Sequence, residues 1–301
     1  MDKKEIFRKT LPFIGAKILI GTVDLIACVL LLAVCLGIGW LFGTIGMLVL
    51  FIIWLFAVKG INLLLMHYIG YLIKAGHIAV VVEAITKGGI PEEQLDYGKK
   101  RVLEKFKVAS VYFAVDKLVD GAVNQIQRGI AKVGDAFSAI PGAGVVASLI
   151  QFYIQISLGY IDECCIGWTF YSDDGNPYKN AADGVAIYAD NWKPLLKNAA
   201  KVMGKVLILS LCVLLAAFLV IGSLFKLMHW NPLIAFIFSC LVTWVIKSAL
   251  LDSYIMIEVV SSYMELALPT QAPPELYDTL CHISDSFSKL IRHGMGEPTI
   301  G

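Results

Sequence analysis

LIACVLLLAVCLGIGWLFGTIGMLVLFIIWLFAV, from Leu25 to Val58, contains no charged side chain. Wound as a helix at ~1.5 Å per residue, such a run is roughly 50 Å long, whereas one crossing of a hydrocarbon core takes about 30 Å. It is somewhat short for two crossings, but carried back to Ile18 across the single Asp24 it accommodates a pair. Gly37, Gly39, Gly43 and Gly46 cluster around Trp40. Glycine frees the backbone to turn and tryptophan favours the membrane interface, so the spacing predicts one helix over 18–38 and a second starting near Ile45.

A second stretch behaves alike. Val206 to Phe225 is uncharged, and Leu227 to Ile246 follows after Lys226 with His229 as its one acidic or basic group. The turn is His229-Trp230-Asn231-Pro232, and because proline suits the first turn of a helix, the fourth apolar helix is expected to start there. Composition agrees: 58% of residues are hydrophobic, 16% are charged and the mean hydropathy is +0.74, an excess that a soluble domain does not carry. The positive N-terminus and apolar run resemble a signal peptide, but the run is too long and lacks a small-residue cleavage site. It is read as the first membrane helix.

The fold class expected is all-α: a polytopic helical membrane protein with two related transmembrane hairpins, four spans in all, plus amphipathic cytoplasmic helices. Relatedness rests on pairs such as Lys17 with Lys201, Cys28 with Cys212, Trp54 with Trp244 and Met66 with Met256. Transporter-like folds place sites between such repeats. The domain reading is 1–86, a first hairpin with an extended second helix; 87–201, an amphipathic middle region; 202–268, a second hairpin; and 269–301, a tail with one amphipathic helix over 275–292. Residues 142–171 are apolar enough for a fifth span, but Gln151, Gln155 and Ser157 interrupt them and Asp162 and Glu163 follow. That pattern favours a buried or interfacial helix.

Lysine and arginine placement sets the expected topology. Lys3, Lys4, Arg8 and Lys9 precede the first hairpin; Lys99, Lys100, Arg101, Lys105 and Lys107 lie in the middle; Lys193, Lys197, Lys201 and Lys205 lead into the second. Positive charge stays on the cytoplasmic side, so both termini are read as inside, in the plasma membrane of a bacterium. Between the hairpins, apolar residues recur at helical spacing from Gln94 to Phe137, predicting a long amphipathic helix broken near Gly121.

Chemistry-bearing motifs are sparse. There is no Walker loop, His-Glu-x-x-His, Gly-x-Ser-x-Gly elbow or dinucleotide fingerprint, and the reading is of a non-enzyme without catalytic residues, cofactor or metal. The seven cysteines are odd in number and mostly lie in apolar segments, which argues against a disulfide framework. Adjacent Cys164 and Cys165 read as inert core. What remains are ionisable or polar groups in or beside apolar helices, each costly there unless paired or hydrated. Asp24, Lys59, Asn62, His67, Lys247, Asp252 and Glu258 form the candidate polar pathway, with Lys17 on the face of Asp24 as its expected partner. The first functional expectation is a transporter or channel-like protein for a small solute or ion. The alternative is a membrane-anchored scaffold with a cytoplasmic helical layer. Expected partners are the lipid bilayer and a second copy or another protein on the cytoplasmic helices; a net charge of +1 makes nucleic acid an unsuitable one.

Overall fold

The computed structural model describes residues 1–65, 69–134, 160–172, 174–229 and 231–296, and among these every regular element is helical. Among the described residues four helices are long and apolar enough to cross a membrane: Leu11–Leu41, Gly43–Asn62, Trp192–Leu227 and Pro232–Ala267. The described helices are α1 (Lys3–Lys9), α2 (Leu11–Leu41), α3 (Gly43–Leu65), α4 (Tyr71–Lys87), α5 (Gln94–Phe106), α6 (Ala109–Gly134), α7 (Ile161–Tyr171), α8 (Pro177–Asp190), α9 (Trp192–Leu227), α10 (Pro232–Ile246), α11 (Asp252–Ala267), α12 (Pro274–Ile283) and α13 (Asp285–Gly294). A π-helical segment, Lys247–Leu251, joins α10 to α11.

The chain divides into two compact units. The span unit comprises Leu11–Ala75 and Leu209–Ser253. Its large apolar side chains point outward: Leu30 is 61% exposed, Trp40 74% and Ile45 78%. A contiguous apolar surface of this extent is not tolerated in water. Phe42 alone separates α2 from α3, and the turn falls inside the glycine cluster: Gly43 has φ +71° and the Phe42 N–H donates to Gly39 O at 3.0 Å. A Cβ on Gly39 would stand 2.8 Å from the Met47 Cα, so only glycine permits this approach. Farther along, the Trp54 indole N–H donates to the Cys28 carbonyl at 2.9 Å. At the start of α10, Pro232 occupies the first turn and the Asn231 side chain accepts from the Leu233 N–H. Proline and cap together specify this helix start.

The core unit comprises Met1–Thr10, Gly76–Ile208 and Tyr254–Gly301. Here the apolar side chains turn inward. α4 buries Ile78, Val80, Val81 and Ala84, and α11 buries Ile255, Val260, Tyr263 and Met264. Both helices carry charged residues as well, but their apolar residues are covered by protein, which is how these two differ from the outward-facing α2 and α3. α7 lies against both: a Cβ on Gly167 would meet Val82 at 3.4 Å and Val260 at 3.6 Å. Residues 142–159 of the expected fifth span lie outside the described residues, while Ile161–Tyr171 forms the buried α7.

Two helices end where periodicity did not place their ends. The break in the middle region falls at Lys107, whose φ is +57°, rather than at Gly121, which is helical. Gly121 serves packing instead, since a Cβ there would collide with Ser286 of α13. The tail forms two helices rather than one over 275–292, because Ser284 is extended at φ −140° and ψ 109°. Its hydroxyl donates to Gln125 Oε1 at 2.6 Å and accepts the Phe287 N–H at 3.1 Å, capping α13. Phe287 and Leu290 of α13 are then buried.

A close backbone contact of the core unit is at Gly184 of α8. An added Cβ would lie 2.8 Å from the Cys165 carbonyl oxygen, and Gly184 O itself accepts from the Tyr263 hydroxyl at 2.9 Å. Gly184→Ala is expected to lower stability by about 1–3 kcal/mol through overpacking. Thermal unfolding of the detergent-solubilised protein measures it, with Gly15→Ala, where nothing lies within 4 Å, as the control that holds or raises the midpoint.

Candidate functional site

In the span unit the carboxylate of Asp24 is half-buried on α2 and takes its contacts from two elements. The Asn62 amide of α3 donates to one oxygen at 3.4 Å, and the Cys28 thiol, one turn onward, lies 3.9 Å from the other. Lys17, the partner expected from sequence, donates instead to Ser253 Oγ at 2.8 Å. Lys59 is exposed on α3. His67 lies outside the described residues.

Lys247 and Asp252 form an ion pair, with Lys247 Nζ 2.9 Å from one carboxylate oxygen and 3.1 Å from the other. The π segment explains it. In an α-helix, side chains three or four apart are neighbours and those five apart diverge. A π turn closes on i→i+5, here from the Asp252 N–H to Lys247 O, and brings the two side chains onto one face. Ser248, one α-turn before Asp252, donates to Val245 O instead.

Glu258 belongs to the core unit, where it accepts from the Tyr254 hydroxyl at 3.0 Å. Lys3 of α1 approaches Glu258 at 3.9 Å and Glu265 at 3.6 Å, and donates to Ser262 Oγ at 2.9 Å. Asn198 of α9 donates to the same Ser262 oxygen at 2.9 Å. Sequence reading placed Lys3 among topology signals and missed this cluster, whose residues are far apart in the chain. Five of the seven candidate residues thus fall into local groups, Asp24 with Asn62, Lys247 with Asp252, and Glu258 with Lys3.

Two features of the core unit were missed or only half read. Lys193, Lys197, Lys201 and Lys205 stand one turn apart along α9, all exposed, and none of them forms an ion pair with a described residue. No Asp or Glu occurs between Asp190 and Asp252. The spacing was legible as a row; that nothing neutralises it was not. The second is a half-buried pair: the Tyr277 hydroxyl donates to Asp183 Oδ1 at 2.8 Å, and burial raises the Asp183 carboxyl above the ordinary aspartate range. The thiols of Cys164 and Cys165 are enclosed, and burial holds both well above the usual thiol range, leaving them protonated and unreactive. Burial likewise pushes the Tyr97 phenol, hydrogen-bonded to Glu83, up to about 12.

No family model matches the chain, and neither curated proteins nor solved structures yield a match to it.

Two measurements check these electrostatics. A double-mutant cycle with Lys247→Met and Asp252→Asn is expected to give a coupling of about 1 kcal/mol or less, since both side chains are partly open to solvent. For Asp183 the folded carboxyl binds its proton more readily than the unfolded one. Its contribution therefore favours folding below the ordinary aspartate range and is lost as pH rises through the elevated value. Wild type should lose stability relative to Asp183→Asn as pH rises from acid to neutral, read as the difference in unfolding midpoints.

Proposed function

We propose that this chain is an integral membrane protein in which two hairpins, α2 with α3 and α9 with α10, cross the bilayer and anchor a cytoplasmic helical scaffold. Both termini are inside in this reading, as the lysine and arginine distribution requires. The observation that carries it is the core unit itself: it closes its own apolar core and presents the unneutralised lysine row Lys193, Lys197, Lys201 and Lys205 on one helix. Four ammonium groups at one-turn intervals match a partner helix with carboxylates at the same interval, and charge of this kind sets partner choice and encounter rate. The polar groups near the spans support a structural role, because Lys247 neutralises Asp252 and Asn62 engages Asp24.

A transport function for a small solute or ion is the second reading, and Asp24 favours it. A half-buried carboxylate on an otherwise uncharged apolar helix costs a few kcal/mol unless hydrated or paired, and such residues mark pathways. Neither of the two cavities described for the chain is lined by Asp24; one lies against α5 and the other beside α9 and α10.

The two readings separate in two experiments. With the scaffold, a photo-reactive residue at Lys197 forms a discrete heavier adduct in cells, and the adduct disappears when Lys193, Lys201 and Lys205 are changed to glutamate at unchanged protein level. Planar bilayers and proteoliposomes containing the purified chain then show no conductance or solute-driven swelling above protein-free controls. Conductance or swelling that Asp24→Asn removes would overturn the scaffold and establish transport.

A further inference from the structure

At the end of α9 opposite the lysine row, a groove of about 530 Å³ opens on the span unit. One face of α9 supplies most of its lining. Phe218 and Leu219 form the apolar end, Gly222 the floor, and Ser223, Lys226 and His229 the polar end, with Pro232 of α10 closing the far side. From Phe218 to Lys226 is about two helical turns, so the lining passes from aromatic to cationic over roughly 12 Å.

The groove is open for identifiable reasons. A Cβ on Gly222 would meet nothing nearer than the Phe218 ring at 3.8 Å, so glycine leaves room where any larger side chain would fill it. Phe218 is held edge-on against Phe236 of α10, with centroids 5.8 Å apart, which fixes the apolar wall. His229 has φ +55°, so the backbone leaves α9 sharply at the groove mouth.

We infer that this groove binds one membrane glycerophospholipid with an anionic headgroup, its phosphate at Lys226 and His229 and an acyl chain along Phe218 and Leu219. Charge complementarity supports it: neither basic group forms an ion pair with a described residue, and no carboxylate occurs between Asp190 and Asp252. The positive end of the α10 dipole lies beside them. Its first-turn N–H groups are already engaged, with Leu233 bonded to the Asn231 side chain and Ile234 to the Asn231 carbonyl, so hydrogen bonds to phosphate come from the two side chains. Continuity selects a lipid over a soluble phosphate, because the apolar end runs into the exposed surface of Leu219, Val220 and Leu224 on the same helix. The groove thus has the graded polarity of the bilayer interface within one cavity, and the inference rests on reading α9 and α10 as membrane helices.

Native mass spectrometry of the full chain, released from nanodiscs of phosphatidylglycerol or phosphatidylcholine, tests the assignment. Wild type is expected to retain one phosphatidylglycerol in preference to phosphatidylcholine. Lys226→Ala should lower phosphatidylglycerol retention roughly fivefold, since a basic residue near anionic headgroups contributes about one such factor. Adding His229→Ala should bring it to the phosphatidylcholine level. Gly222→Phe, which fills the floor without changing charge, should reduce retention of both lipids; the charge variants alter exposed side chains and stand alone if the phenylalanine variant does not fold. Equal retention of the two lipids by wild type, or retention indifferent to Lys226 and His229, would overturn the site. So would binding of soluble glycerol phosphate as tight as that of the lipid. A chain that stayed monodisperse without detergent would instead remove the membrane reading of α9 and α10, whatever its lipid preference.

Discussion

A backbone amide surrounded by apolar material has to find its partner within its own helix, and this requirement organises the whole chain. It explains why α2 and α9 run so far without interruption, and why the departures from regularity sit where other groups take over the hydrogen bonding. At Gly43 the Phe42 amide finds Gly39; at Asn231 a side chain caps α10; at Lys247–Leu251 the ladder changes step without losing its bonds. The last of these also shapes the electrostatics, since the wider turn is what allows Lys247 to meet Asp252. Backbone satisfaction and charge neutralisation share one device there.

The same apolar composition is directed toward two solvents. In the span unit the large side chains of α2, α3 and α9 face outward, whereas in the core unit those of α4, α7 and α11 are buried. Hydropathy is nearly blind to this distinction, because a leucine facing lipid and a valine facing protein score alike. Small residues mark the difference better. Gly167 and Gly184 lie where α7 meets its neighbours, and at Gly184 the missing Cβ is what permits the close approach to Cys165. On α9 the exposed lysines and the exposed apolar surface follow one another along a single helix, so one element carries both a charged row and an apolar face.

How much of this was legible depends on the range of the interaction. The apolar runs, the glycine turn and the start of α10 at Pro232 are local features, readable from spacing and propensity. The Lys107 break and the Ser284 break were not readable from periodicity: the first rests on a lysine in a positive-φ conformation, the second on a hydroxyl that meets Gln125 from another helix. The partners of the candidate residues were the least legible. Lys17 and Asp24 share a helical face in the sequence, yet Lys17 meets Ser253 and Asp24 meets Asn62, since contacts between helices outcompete the intrahelical one. Lys3 with Glu258 is a still longer-range pairing, and no spacing rule reaches it. The π turn left no sequence signal at all, only the consequence that two residues five apart are paired.

The inward-facing character of α4 and α11 has a consequence for how the chain is made. α4 carries Lys74, His77 and Glu83 among its apolar residues, and charges at such positions cost several kcal/mol at the centre of an inserting segment. In the membrane reading proposed above, insertion machinery that retains α3 therefore has reason to release α4. α11, which lies against Gly167 of α7 as α4 does, is synthesised later, and at ~5–20 residues per second the interval is on the order of ten to thirty seconds. Throughout that interval the apolar residues that α4 buries in the finished fold lack part of their cover. A nascent chain that exposes such a surface is open to aggregation until its core closes.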